Sequence, residues 1–215
     1  MEPCFSDLQA CTVRPRAPLV IVDVDEVLAQ FMVGFGAFIA RRGFELRVDR
    51  YALFQNIYRP GEVEHVDLVT GRALFDDFFR DGAEDLLPAP GAADALADLS
   101  TRAGVVILTN APEHGRPSRI GWLKTHGFDY PLVINSGPKG PPAADLAGRT
   151  TGPSVFVDDL LPQLDSVAHC APAVTRFQMV SDERLRPLAP CAPERHARID
   201  LWPELKAAIA HRLFP

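Results

Sequence analysis

Four short stretches of this chain carry side chains suited to hard cations and phosphate. Asp23, Asp25 and Glu26 follow directly on the apolar run 19–22, and Thr109-Asn110 follow 105–108. Asp158-Asp159 follow 155–157, and Lys139 stands in the glycine- and proline-rich loop 136–142. If the three apolar runs are neighbouring strands, up to five carboxylates converge on one edge of a sheet. At an effective dielectric near 20, two like charges ~4 Å apart repel by about 4 kcal/mol, a load that a bound cation relieves. Oxygen ligands with no His or Cys nearby select a hard ion, and Mg²⁺ fits best. With a hydroxyl and a lysine alongside, the set suits an anionic oxyester, above all a phosphate.

Each stretch alone also has a plain structural reading. Thr109-Asn110 is equally a turn with satisfied side chains, Asp158-Asp159 a pair at a helix N-terminus, and Lys139 a solvated lysine. What separates the readings is whether the chain brings the stretches together. The run LVIV is short, apolar and rich in β-branched residues, as a strand buried on both faces should be. Further strands are expected at 105–108, 131–135, 155–157 and 174–180, with helices at 92–104, 116–126, 143–148, 160–168 and 202–213. Strands alternating with helices make an α/β fold, a doubly wound parallel sheet of five strands with helices on both faces. Ligands of such sheets bind beyond the carboxyl ends of the strands, where these polar groups lie.

The helix expected at 27–42 carries Phe31, Phe35 and Phe38 on one stripe, and Gly34 and Gly36 within it imply a bend or close packing. Residues 47–89 hold Tyr51, Phe54, Tyr58, Phe75, Phe78 and Phe79 among many acids, with no clear strand. Residues 33–88 therefore read as a small helical insertion, with the core formed by 18–32 and 89–215 and a loose leader at 1–17. If the insertion covers the site, its side chains, Phe54 or Arg59 for example, choose the substrate.

In order, VIVDVDEVLA, VVILTN, Lys139 and VFVDD resemble the four motifs of the haloacid dehalogenase superfamily of phosphatases. The resemblance implies a Rossmann-like core and makes 33–88 look like that family's small helical cap, in a layout similar to its deoxyribonucleotidase branch. It implies that Asp23 is the nucleophile, forming an aspartyl-phosphate, and that Asp25 is the general acid and then base. Thr109, Asn110 and Lys139 would hold the phosphate. Asp23, Asp158, Asp159 and the backbone carbonyl of Asp25 would hold Mg²⁺. Glu26 stands where the family usually has Gly or Thr, adding negative charge at the mouth of the site, either toward solvent or to narrow the choice of substrates. Asp165 lies at a spacing that leaves it without a role. The implied activity is hydrolysis of a small phosphorylated metabolite, with nucleotides and sugar phosphates as candidates. A phosphotransferase or mutase, or a phosphate-binding protein without turnover, is the alternative.

Composition bounds the rest. The 215 residues are 47% apolar and 23% charged, as in an ordinary globular protein, with one core plus an insertion. A net charge of -6 and the absence of a basic stripe argue against a nucleic-acid polymer as partner. No apolar run approaches the ~18 residues of a membrane span, and 1–17 lacks the apolar centre of a signal peptide. Cys4, Cys11, Cys170 and Cys191 show no metal spacing and read as reduced thiols, so a cytoplasmic location is expected. The oligomeric state is not written in the sequence.

Overall fold

The computed structural model describes residues 6–83 and 86–214. The chain forms α1 (Ser6–Ala10), β1 (Leu19–Val22), α2 (Phe31–Ala40), β2 (Glu45–Leu46), β3 (Ile57–Tyr58), α3 (Leu68–Asp81) and α4 (Ala92–Ser100). It continues as β4 (Gly104–Asn110), α5 (Arg116–Thr125), β5 (Leu132–Asn135), α6 (Gly140–Gly148) and β6 (Ser154–Asp158). It ends as α7 (Leu161–Cys170), β7 (Thr175–Gln178), β8 (Ala197–Arg198) and α8 (Trp202–Leu213).

The apolar run of β1 is fully buried because it lies in the middle of the sheet, whose order is β5-β4-β1-β6-β7-β8 with every pairing parallel. Alternate residues of the central strands serve opposite faces. Val20, Val22, Ile107 and Val157 pack with Leu96, Trp122, Trp202 and Ile209, which come from α4, α5 and α8. Ile21, Leu108 and Phe156 pack with Leu8, Leu146, Leu164 and Val167, from α1, α6 and α7. Both faces are thus covered, as a doubly wound sheet requires. The sheet has six strands rather than five. The sixth, β8, pairs with β7 through two residues and is too short to show in a pattern.

Register brings the polar ends together. Val22 lies opposite Ile107 on one side and Val157 on the other. Asp23 and Asp158 are therefore level on adjacent strands, with Thr109 one step further along β4.

Two expectations are corrected here. Residues 27–30 are not helical: Val24 O accepts the N–H groups of Val27, Leu28 and Ala29, making a turn before α2. Nor is the described part of the leader loose. Leu8, Cys11 and Val13 are buried against the sheet, and Arg149 Nη1 donates to Cys11 O at 2.7 Å; residues 1–5 lie outside the described residues.

Between β1 and α4 the chain makes α2, the antiparallel β2–β3 pair and α3. The regular structure of this segment is mainly helical, but it does contain strands. Phe35 and Phe38 of α2 meet Phe78 of α3 edge-on, at centroid distances of 5.4 and 5.3 Å. The α2 glycines mark close packing, since a Cβ on Gly34 would overlap Leu86 and one on Gly36 would crowd Leu46.

A second close approach sets the position of Lys139. Gly140 opens α6 where that helix touches α7, its N–H donating to Ser166 Oγ at 3.0 Å. A Cβ there would overlap the Ser166 backbone carbonyl, which cannot rotate away. Gly140→Ala should therefore push α6 outward. Overpacking of this kind costs about 1–3 kcal/mol, or roughly 2–4 °C of melting temperature per kcal/mol in a chain of this size. Thermal denaturation monitored by circular dichroism checks this, and an unchanged midpoint would refute the contact.

Candidate active site

Asp23, the first residue beyond β1, is 5% exposed, and Lys139 and Asp158 beside it are 1% and 0% exposed. Lys139 Nζ lies 2.7 Å from Asp23 Oδ1 and 2.7 Å from Asp158 Oδ2. One oxygen each from Asp23, Asp158 and Asp159 falls within a 4.8 Å span. Three buried carboxylates thus face one ammonium group. Burial pushes the Asp158 carboxyl up, opposed by Lys139 and reinforced by Asp23. Burial raises Asp159 further, with Asp158 and Asp23 adding to it. For Lys139 burial acts downward, but Asp158 and Asp23 outweigh it and hold the amine charged. Close, oxygen-only and still negative after Lys139 is counted, this set fits a hard divalent cation.

The support around it is specific. Lys139 N donates to Gln163 Oε1 at 2.8 Å, and Asp158 Oδ1 accepts from Leu160 N at 2.9 Å. Asp158 therefore also ties down the entry to α7, so its structural and functional readings are both realised. Thr109 is fully buried, and its hydroxyl has no hydrogen-bond partner, as a group awaiting an acceptor would be. Asn110 borders the pocket, yet its side chain is engaged: Nδ2 donates to Gly137 O at 2.9 Å and Oδ1 accepts from Asn135 at 2.9 Å. Its visible role is to hold the loop that carries Lys139, not to present an amide to phosphate.

Asp25 does not join the acid cluster with its carboxylate. Both of its oxygens accept from Arg119 Nη2, at 2.8 and 2.9 Å. Burial raises the Asp25 carboxyl, with Arg119 opposing and Asp23 adding to the rise. Arg119 is 0% exposed, lies over the Phe79 ring at 5.1 Å, and has no hydrogen-bond partner for Nε or Nη1. It is a residue the sequence reading missed, although it shares the buried stripe of α5 with Trp122 and Leu123. Tyr51 was missed as a site residue too. Its hydroxyl donates to Asp159 Oδ2 at 2.5 Å, and Asn56 braces its loop through Arg50 O and Ala52 O.

Glu26 corrects the expectation of a free charge at the mouth. It is 4% exposed and turned inward. Oε1 accepts from Met32 N at 2.8 Å, and Oε2 from Asp182 N at 2.9 Å and Ser181 Oγ at 3.0 Å. Its φ of 59°, alone among the described non-glycine residues, explains why glycine would be comfortable there. In this chain three hydrogen bonds offset the strain of a side chain in that region. Burial nevertheless raises the carboxyl to about 7.

A pocket of about 230 Å³ opens over Asp23, Asp25, Lys139 and Asp159, and its far wall includes Phe31, Met32, Leu53 and Phe75. Phe54 is not on that wall but meets Phe75 edge-on at 6.1 Å, and Arg59 lies over Phe44. Asp165 bonds Arg195 and the buried His196, which holds its carboxyl below the usual range, so its role is structural.

No family model matches the chain, and no curated protein matches it in sequence. Solved structures do match it in fold. A haloacid dehalogenase-like hydrolase from Burkholderia xenovorans LB400 has a TM-score of 0.58 at 17% identity, covering 94% of this chain and 100% of the other. The HAD-hydrolase YfnB from Bacillus subtilis, bound to magnesium, has a TM-score of 0.61 at 15% identity over 90% of this chain and 99% of its own. CbbY from Rhodobacter sphaeroides, in complex with phosphate, has 0.53 at 16% identity over 88% and 96%. The chain therefore has the Rossmann-like fold of the haloacid dehalogenase-like hydrolases. Nothing in these likenesses singles out the deoxyribonucleotidase branch.

Glu26→Gln tests the inward anchor. An amide cannot accept at both ends, so one buried donor loses its partner, at a cost of about 1–3 kcal/mol. Urea denaturation should show a lower midpoint with an unchanged slope; an unchanged midpoint would mean that Glu26 anchors nothing.

Proposed function

We propose that this protein is a Mg²⁺-dependent phosphomonoester hydrolase that acts through an aspartyl-phosphate on Asp23. One juxtaposition carries this reading: Asp23 and Asp158, level on adjacent strands, share Lys139 beneath a pocket, with the unpartnered Thr109 hydroxyl at the same sheet edge. The fold, and a neighbour of that fold bound to magnesium, support it.

The residues divide the work as follows. Lys139, 2.7 Å from Asp23 Oδ1, holds that carboxylate in place for attack on phosphorus, and Lys139 and Thr109 hold the phosphoryl oxygens. As the Asp23–phosphorus bond forms, the ester bond breaks, and the departing oxygen takes a proton from Asp25. Asp25 then removes a proton from water, which attacks the aspartyl-phosphate and restores Asp23. Splitting one hydrolysis into two displacements lowers the barrier to each. Arg119 acts through Asp25, fixing its direction and favouring its charged form after the first transfer. Asp23, Asp158, Asp159 and the Asp25 carbonyl would hold Mg²⁺. When bound, Mg²⁺ would neutralise the carboxylates and stabilise charge on the transferring phosphoryl group.

Residues 33–88 serve in this reading as a cap that supplies Tyr51, Leu53 and Phe75 to the wall of the pocket. A phosphate-binding protein without turnover would gain from a carboxylate aimed at the substrate, whereas Glu26 engages both of its oxygens with Met32, Ser181 and Asp182. No helix among the described residues is long and apolar enough to cross a membrane. The free thiols of Cys11, Cys170 and Cys191 agree with a reducing, cytoplasmic setting.

The test is phosphate release from alkyl and aryl phosphates. Activity should vanish in excess chelator and return with Mg²⁺, and Asp158→Ala should need far more Mg²⁺. Asp25→Asn should lose ~10²–10⁴-fold in rate with alkyl esters and much less with an activated aryl ester. Rapid-quench labelling should place the phosphoryl group on Asp23; a label on another residue would overturn the mechanism.

A further inference from the structure

Resting on the phosphomonoesterase reading, we infer that the substrate is a small phosphate monoester whose alcohol is apolar and about one ring in size, not a nucleotide or a sugar phosphate. The inference comes from the composition and volume of the wall facing the acid cluster. Phe31, Met32 and Leu185 on that wall are 6%, 4% and 3% exposed, and Leu53 and Phe75 are half-buried. A substrate phosphorylated on Asp23 directs its alcohol toward these side chains.

The polar groups of the pocket are already engaged. Tyr51 donates to Asp159, and Glu26 accepts from Met32, Ser181 and Asp182. The Asn110 amide is held by Gly137 and Asn135, and Asp25 by Arg119. Lys139 is the cation on the pocket lining, and it sits between Asp23 and Asp158. The hydroxyls of a sugar would leave water for the side chains of Phe31, Met32, Leu53, Phe75 and Leu185, which offer them no partner, and unpaired burial of each is costly. Among the described residues that line the pocket there is no arginine or histidine, so a second phosphate or a carboxylate on the substrate would meet no cation besides Lys139.

Volume points the same way. A cavity of ~150 Å³ lined by aliphatic and aromatic side chains accommodates benzene. The 230 Å³ here therefore suffices for a phosphoryl group and one ring-sized apolar group.

The experiment compares kcat/KM in saturating Mg²⁺ for benzyl phosphate, sn-glycerol 3-phosphate, ribose 5-phosphate and AMP. All four are esters of primary alcohols, so leaving-group reactivity is similar and the pocket decides the ranking. Benzyl phosphate should exceed both polyol phosphates by about 100-fold, the scale on which apolar pockets discriminate, and AMP should be the poorest substrate. Hydrolysis of a polyol phosphate or AMP as fast as benzyl phosphate overturns the inference and leaves the phosphatase reading standing. Release of phosphate from none of the four overturns the phosphatase reading, and calorimetry with benzylphosphonate then judges the pocket alone. Saturable binding tighter than that of ribose 5-phosphate supports the apolar site, and its absence overturns it. In Leu53→Asn the benzyl-to-glycerol ratio should fall about tenfold; an unchanged ratio removes the wall from substrate choice.

Discussion

Lys139 lies 2.7 Å from carboxylates on two adjacent strands, and the rest of the site depends on that bridge. Without it, Asp23, Asp158 and Asp159 would be three like charges in a buried space, with repulsion of several kcal/mol between close pairs. With it, the cluster is tolerable but still negative, and the raised Asp158 and Asp159 carboxyls express the remainder. The three carboxylates could hold a metal ion, and a divalent cation would complement their charge.

Contacts around the bridge keep it in place. The close approach at Gly140 and the Gln163 bond set the start of α6, and hence Lys139. Glu26 ties the turn after β1 to the head of α2 and to residues 181 and 182, so the start of α2 is held at one buried carboxylate. Tyr51 reaches from that segment to Asp159, and Arg119 under Phe79 holds Asp25. The inserted segment is therefore coupled to the acids by hydrogen bonds as well as by apolar contact.

The core was legible in the sequence because a parallel strand buried on both faces must be a continuous apolar run, so β1, β4 and β6 announce both themselves and their polar exits. Helix α8 was legible from Pro203 in its first turn. Other features had weaker signals. Strand β8 is two residues long, and the docking of α1 depends on Leu8, Cys11 and Val13 finding a distant face. The inward turn of Glu26 depends on its φ and on residues some 155 positions away, neither of which a pattern reveals. Arg119 did have a signal, since it lies three and four residues before Trp122 and Leu123 on one stripe. Tyr51 had none, because 47–56 has no period.

The central claim is that the bridged acid cluster is completed by one divalent cation, and calorimetric titration of the purified protein with Mg²⁺ tests it most directly. The account predicts saturable binding of about one ion per chain, lost in Asp158→Ala although that variant stays folded. No saturable heat with the native protein, or equal binding by Asp158→Ala, would contradict it.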